Sequence, residues 1–133
     1  MRHNTTIKFK LAELLEAVAI IGVLVAISIP IFTGQLEKAR EATDAANIRA
    51  AYAAVSTDML METGTSDTAN GVNYDGTAKT YTATVNATQT QAKWQNSGDA
   101  DKLKIGGQEV DAKTTGSSWT ITGNVATGAV TIS

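Results

Sequence analysis

The feature that most constrains this chain is an almost wholly apolar segment near its N-terminus, from Phe9 to Phe32. Between Ala17 and Phe32 it carries no charge, and its bulky aliphatic residues point in every direction around a helix rather than along one stripe. A helix that is apolar all round needs apolar surroundings on every side. The rest of the chain has few large apolar side chains, so we expect those surroundings to be lipid or further copies of the same helix.

The charges on either side of this segment predict its orientation in a membrane. Arg2, Lys8 and Lys10 precede or begin it, whereas residues 37–44 mix both signs. Cytoplasmic flanks of membrane helices are enriched in Lys and Arg, so we expect the N-terminus inside and everything after Phe32 outside. A cleavable secretory signal is a rival interpretation, but no small-residue cleavage site follows the run.

A helical pattern continues beyond the apolar segment to about Glu62. The stretch that begins at Leu36 lacks proline and glycine, and five residues spaced by three and four form a stripe that we expect to pack on a sheet: Ala45, Ile48, Tyr52, Val55 and Met59. Arg40 and Asp44 are spaced for an ion pair on the helix surface. Gly64 is the expected terminator, because glycine readily adopts the left-handed conformation that ends helices.

Gly22 and Pro30 weaken the helix inside the apolar segment. Pro30 removes one backbone donor and crowds the carbonyl of Ala26, which predicts a kink or a loosened turn. Gly22 costs about 1 kcal/mol relative to alanine, and it permits close helix contact. Both residue types are also common in membrane helices, and this plainer interpretation stays open.

After Gly64 the composition changes to Thr, Gly, Asn and Ser with short β-like pieces. Residues 64–78 are rich in turn signals and are expected to form a loop. Strands are expected at residues 80–86, at 102–111 as two short strands around Gly106-Gly107, at 118–122 and at 129–133. The predicted fold class is α+β: a long N-terminal helix, hydrophobic in its first half and amphipathic in its second, packed on a small antiparallel sheet.

The sequence gives little support to catalysis. There is no cysteine, and the single histidine, His3, lies in the basic N-terminal stretch, so Ser/His and Cys/His pairs are missing. No glycine-rich phosphate loop follows a strand, and a net charge of −2 without a basic cluster gives no direct nucleic-acid signature. We expect neither an enzyme nor a cofactor or resident metal.

Two local features have competing interpretations. Asp99 and Asp101 offer oxygens for calcium, but the spacing lacks the glycine and distal glutamate of an EF-hand, which favours a solvated acidic turn. Trp94 is either an exposed aromatic that binds a sugar or a partner, or a core residue, and we favour the core.

The N-terminal residues resemble those of a type IV pilin or of a close relative such as a type II secretion pseudopilin. That family has a short basic leader, then a phenylalanine, a leucine, a glutamate, a glycine and a proline at fixed spacings. This register is matched by Phe9, Leu11, Glu13, Gly22 and Pro30. The likeness is specific over residues 9–47, and beyond them it rests on architecture.

The resemblance implies a leader (1–8), a transmembrane and polymerisation half-helix (9–32), an amphipathic half-helix (33–63) and a globular domain (64–133). It also implies a life cycle. A prepilin peptidase cuts between Lys8 and Phe9, the subunit waits in the inner membrane, and the pilus assembly machinery builds it into a homo-oligomeric surface filament used for adhesion, twitching motility or DNA uptake. In that filament Glu13 neutralises the freed amine of Phe9 on an adjacent subunit, and Gly22 and Pro30 allow the helix between them to loosen.

Three residues depart from the family pattern. Lys8 stands where the leader ends in glycine, Lys10 replaces a threonine, and Glu16 replaces an aliphatic residue. Because the peptidase relies on a small residue before the cut, we expect poor cleavage at Lys8. Lys10, Glu13 and Glu16 are spaced to neutralise one another on one helix face.

Two other functions remain open. One is a pseudopilin whose short periplasmic filament pushes secreted substrates outward, although the lack of cysteines and of a recognisable calcium loop leans weakly against it. The other is a monomeric, membrane-anchored binding module that uses Trp94 or the threonine-rich face of the sheet.

Overall fold

The structure, a computed structural model, describes the backbone of residues 2–95 and 103–133 and the side chains of residues 7–95 and 103–133. Asp99 and Asp101 lie outside this part of the chain, as do the side chains of Arg2 and His3. The chain divides into two compact units, Met1–Leu36 and Glu37–Ser133.

A single helix, α1 (Arg2–Met61), occupies the N-terminal part of the described chain. Its α-helical assignment continues through Pro30 without a break, and it begins well before Phe9, so the stretch expected as a leader is already helical. The helix ends one residue short of the predicted limit. The residue that then takes the left-handed conformation is Glu62 (φ 47°), and Gly64 (φ 68°) follows two residues later.

Six strands follow the helix: β1 (Asn73–Asp75), β2 (Thr80–Asn86), β3 (Leu103–Ile105), β4 (Gln108–Val110), β5 (Ser118–Asn124) and β6 (Ala129–Ile132). Among the described residues they form a four-stranded sheet in the order β1-β2-β5-β6 and a two-stranded sheet of β3 and β4, with every pairing antiparallel. The predicted loop over residues 64–78 therefore contains a strand, and the single expected sheet is two sheets. The side-chain amide of Gln108 joins them by donating to the carbonyl of Val130 in β6.

The second half of α1 covers the apolar face of the larger sheet, which confirms the α+β class. Ile48 and Val55 are fully buried, Ala45 and Met59 nearly so, and Tyr52 packs against the same core at its edge. The helix approaches β5 closely at Gly123, where an added Cβ would lie 2.9 Å from Cγ1 of Val55. Tyr81 stands opposite Gly123 in the β2–β5 register, so a large residue pairs with a minimal one.

Two buried tryptophans, Trp94 and Trp119, also belong to this core. Trp94 and Trp119 stack with ring centroids 5.8 Å apart, and both are almost fully buried. Their indole N–H groups donate to the carbonyls of Val110 (2.7 Å) and Asp111 (2.8 Å), which satisfies the polar end of each ring. Trp94 is therefore a core residue, and its alternative role as an exposed binding aromatic is wrong.

Candidate functional site

The candidate site is the apolar part of α1, within the first unit. Every large apolar side chain from Ile7 to Phe32 is exposed, at 50–70% of its full area. The helix is long and apolar enough to cross a membrane, by length and composition alone, and none of its most apolar stretch is buried. A contiguous apolar surface of this size marks a site of contact with lipid or protein.

The segment hides its few polar atoms within the helix itself. Between Ala17 and Phe32 the one polar side chain is Ser28, and its hydroxyl donates to the carbonyl of Leu24 at 2.7 Å. The next hydroxyl, that of Thr33, donates to the carbonyl of Ile29 at 2.9 Å. In a medium without water each polar group needs an internal partner, and these side chains have one.

The residues that carry the family resemblance lie along this exposed helix. Phe9 is 67% exposed. A Cβ built on Gly22 would have no heavy atom within 4 Å, so its bare backbone is open to an approaching helix. Pro30 sits between two exposed isoleucines, Ile29 and Ile31, without ending the helix.

The charged residues at the start of the segment are not joined to one another. Lys8, Lys10, Glu13 and Glu16 are all exposed, and among the side chains that the structure describes no ion pair links any two of them. The expected local neutralisation of Glu13 and Glu16 by Lys10 is therefore not seen among the described side chains.

A second group of carboxylates lies in the globular unit and has a structural role. Glu37, Glu41 and Asp44 are buried, and each accepts hydrogen bonds from the segment 88–95 that follows β2. The contacts are Thr88 N, Thr88 Oγ1 and Gln89 N to Asp44; Thr90 N, Thr90 Oγ1 and Gln91 N to Glu37; and Gln95 N to Glu41. These three side chains replace the backbone partners that an irregular segment lacks.

The electrostatics of Glu37 agree with this role. Burial on its own would raise the pKa of Glu37, but hydrogen bonds from the Thr90 hydroxyl and from the amides of Gln91 and Thr90, with the charge of Arg40, outweigh it and hold the pKa below its ordinary value. Arg40 pairs with Glu37 at 3.7 Å. The predicted surface pair of Arg40 with Asp44 is wrong, because Asp44 faces the segment after β2.

Sequence reasoning missed these carboxylates, although a signal was present. Glu37, Glu41 and Asp44 continue toward the N-terminus the same three-and-four spacing that places Ile48 and Val55 in the core. Acidic residues on a helix are most often solvated, so the apolar pattern alone predicts a buried stripe that begins only at Ala45. An acidic residue at a position that continues a buried helical stripe predicts a buried hydrogen-bond acceptor when the chain also contains a loop rich in Thr and Gln.

Comparisons of the chain with models of known protein families, with curated proteins and with solved structures give no match.

Proposed function

We propose that the protein is a structural subunit that resides in a membrane through residues 9–32 and assembles through the same helix into an extracellular filament. The observation that supports this most is the complete exposure of a continuous apolar helix in a chain whose other unit has its own core. Burying one such side chain contributes about 1.5–3 kcal/mol. A membrane or a bundle of identical helices supplies that burial on all sides.

The exposed backbone at Gly22 favours a bundle of helices as the final environment. Small residues allow helices to approach closely in apolar surroundings, where dispersion and close packing drive association. The proposal therefore places other copies of this chain, rather than lipid alone, around Gly22 in the assembled state.

Glu13 supplies the charge that guides assembly in this proposal. A charged carboxylate inside a membrane costs about 2.5–3.5 kcal/mol on insertion scales, and Glu13 has no ion-pair partner among the described side chains of its own chain. After cleavage before Phe9, the new terminal amine of a neighbouring subunit neutralises it. Assembly thus removes a cost that the membrane-embedded subunit carries.

The test is electron microscopy of cells that express the chain together with a pilus assembly system and its peptidase. Leu24→Glu places a charge in the apolar segment, and Leu60→Glu is the matched control, because Leu60 is also an exposed leucine on the same helix, at 78% against 58% for Leu24, and lies in the globular unit. Because Lys8 is expected to impair cleavage, both variants are made in a Lys8→Gly chain. We expect ordered fibres from Lys8→Gly and from its Leu60→Glu derivative, and none from its Leu24→Glu derivative even in the fraction that remains membrane-bound. Cleaved Lys8→Gly protein that stays monomeric in the membrane would instead support the anchored binding module.

The charge pairing has its own test. Glu13→Ala in a chain that begins at Phe9 should reduce fibre yield about tenfold or more, the effect of losing one buried charge pair of a few kcal/mol. Glu16→Ala is the control, since Glu16 lies one turn further along the same helix and has no proposed partner. Normal filaments from cleaved Glu13→Ala protein would contradict the proposed pairing of Glu13 with the terminal amine of Phe9.

A further inference from the structure

The end of α1 holds a buried carboxylate without a partner. Asp58 is 7% exposed, and its Oδ2 has no hydrogen-bond partner. A buried charge is costly unless it is paired, hydrogen-bonded or bound to a metal. Asp58 therefore differs from Glu37 and Asp44 on the same helix, whose oxygens accept several hydrogen bonds each.

A second carboxylate faces the same space. Asp58 and Asp67 both line a pocket of about 280 Å³ together with Asn70, and the remaining wall is made of small residues: Ala50, Ala53, Ala54 and Thr57. Burial, and then the charge of Asp67, raise the pKa of Asp58. No lysine or arginine is among the residues that line this pocket, so nothing in the described chain neutralises the two acids there.

The turn that carries Asp67 is held in place from within. The backbone amide and the side-chain amide of Asn70 donate to the two carboxylate oxygens of Asp67, at 3.3 and 2.7 Å. The amide of Val72 donates to the carbonyl of Asp67 at 2.9 Å, closing the turn. Asp67 is thus held in place within the turn, and the side-chain oxygen of Asn70, which also lines the pocket, adds one neutral oxygen to the two carboxylates.

We propose that this pocket binds a hard divalent cation, with Ca²⁺ the best fit, through Asp58 Oδ2, a carboxylate oxygen of Asp67, the side-chain oxygen of Asn70 and water. Ca²⁺ accepts irregular sets of oxygen ligands, whereas Mg²⁺ demands a near-octahedral arrangement. The small alanine walls leave room for the waters that complete its shell. No three His, Cys, Asp or Glu side chains gather anywhere in the part of the chain that the structure describes, this pocket included, so the third protein ligand is the amide oxygen of Asn70.

The ligand set predicts a weak site. Two carboxylates and one amide carry less charge than a sensor loop, and extracellular calcium modules bind at about 10⁻⁴–10⁻³ M. Occupancy ties the turn after α1 to the helix end, so the ion acts as a clasp for the globular unit. This role is independent of filament assembly.

The experiment measures thermal unfolding of the full chain in detergent, after treatment with a chelator, as CaCl₂ is added at constant ionic strength. A tenfold excess of Ca²⁺ over the dissociation constant should raise Tm by about 5 °C, and Mg²⁺ should raise it less. Asp67→Asn and Asp58→Asn should each abolish the response. Asp58→Asn should also unfold at a higher temperature than the wild type without calcium, because it removes the unpaired charge.

The matched control is Asp75→Asn, since Asp75 ends strand β1, does not line the pocket, and accepts hydrogen bonds from the amides of Thr77 and Ala78 in the turn that follows. It should keep the full calcium response. Titration calorimetry with Ca²⁺ on wild type and Asp67→Asn gives a readout that does not depend on stability. A wild type that neither binds Ca²⁺ nor gains Tm, or a response that survives both Asp58→Asn and Asp67→Asn, would overturn the proposal.

Discussion

At the scale of single residues, Asp44 is the clearest test of how the globular unit is held together. It is wholly buried and accepts from Thr88 N, Thr88 Oγ1 and Gln89 N at 2.7–3.1 Å. Asp44→Asn keeps the shape but replaces one accepting oxygen with an amide NH2 group that cannot accept from these donors, so we expect a loss of about 2–3 kcal/mol in the free energy of unfolding. Urea unfolding in detergent measures it.

The control for this prediction is again Asp75→Asn, which retains its one accepting oxygen in an exposed turn and should change stability by less than about 0.5 kcal/mol. Equal losses in the two variants would mean that the buried contacts of Asp44 add nothing beyond an ordinary turn.

We expect Glu37 to contribute to the pH dependence of the free energy of unfolding. Its folded pKa lies below the ordinary value of 4.5, so its contribution to stability is present above pH 4.5 and is lost as the pH falls through the folded pKa. Asp58, with a raised pKa, acts in the opposite sense: its protonation favours the fold as the pH falls toward 3.8. Glu37→Gln should therefore be less stable at pH 7 and should lose less stability on acidification than the wild type does. An unchanged acid slope in Glu37→Gln would contradict this assignment.

At the scale of elements, the β3–β4 hairpin contacts α1 at a glycine, Gly106, which lies against Tyr52. An added Cβ at Gly106 would lie 2.3 Å from the ring of Tyr52, and Gly106 has φ +59°. Gly107, the other turn residue, has φ +78° but nothing within 4 Å of its Cβ position. Gly107→Ala should cost about 1 kcal/mol, the conformational term alone, whereas Gly106→Ala should cost a further 1–3 kcal/mol or so from overpacking. Chemical denaturation of the two variants measures the difference in unfolding free energy that is due to the contact with Tyr52. Equal costs would show that the hairpin moves away from Tyr52 without loss of stability.

The elements also show what the sequence can and cannot reveal. The core stripe from Ala45 to Met59 and the strands β2 and β5 follow from strong periodicity, and the glycine pair marks the β3–β4 turn. β1 has only three residues amid turn signals, so its pairing with β2 decides its structure. The two sheets are joined by Gln108, whose side-chain amide hydrogen-bonds to β6, a tertiary contact that no local pattern contains.

The apolar character of the candidate site is predictable from composition, because a long segment without charged residues can be identified from its own sequence alone. What the sequence did not indicate is that Lys10, Glu13 and Glu16 stay unpaired on the helix surface, since spacing permits a contact but does not make it favourable in water. The cation pocket was equally hidden, because Asp58 and Asp67 lie on different elements and meet only in the folded unit.

At the scale of the whole molecule, assembly depends on whether the chain is cut before Phe9. Lys8 places a long charged side chain where type IV pilins, which the N-terminal residues resemble, have glycine. The wild type should therefore be processed poorly by a prepilin peptidase and should keep its first eight residues. Lys8→Gly should restore cleavage, while Lys8→Arg, the matched control, should not. Intact mass spectrometry after co-expression with the peptidase reads the N-terminus directly. If wild-type protein begins at Phe9, Lys8 is no barrier; if only Lys8→Gly is cut and only Lys8→Gly forms fibres, the freed amine at Phe9 is what Glu13 requires from its neighbour.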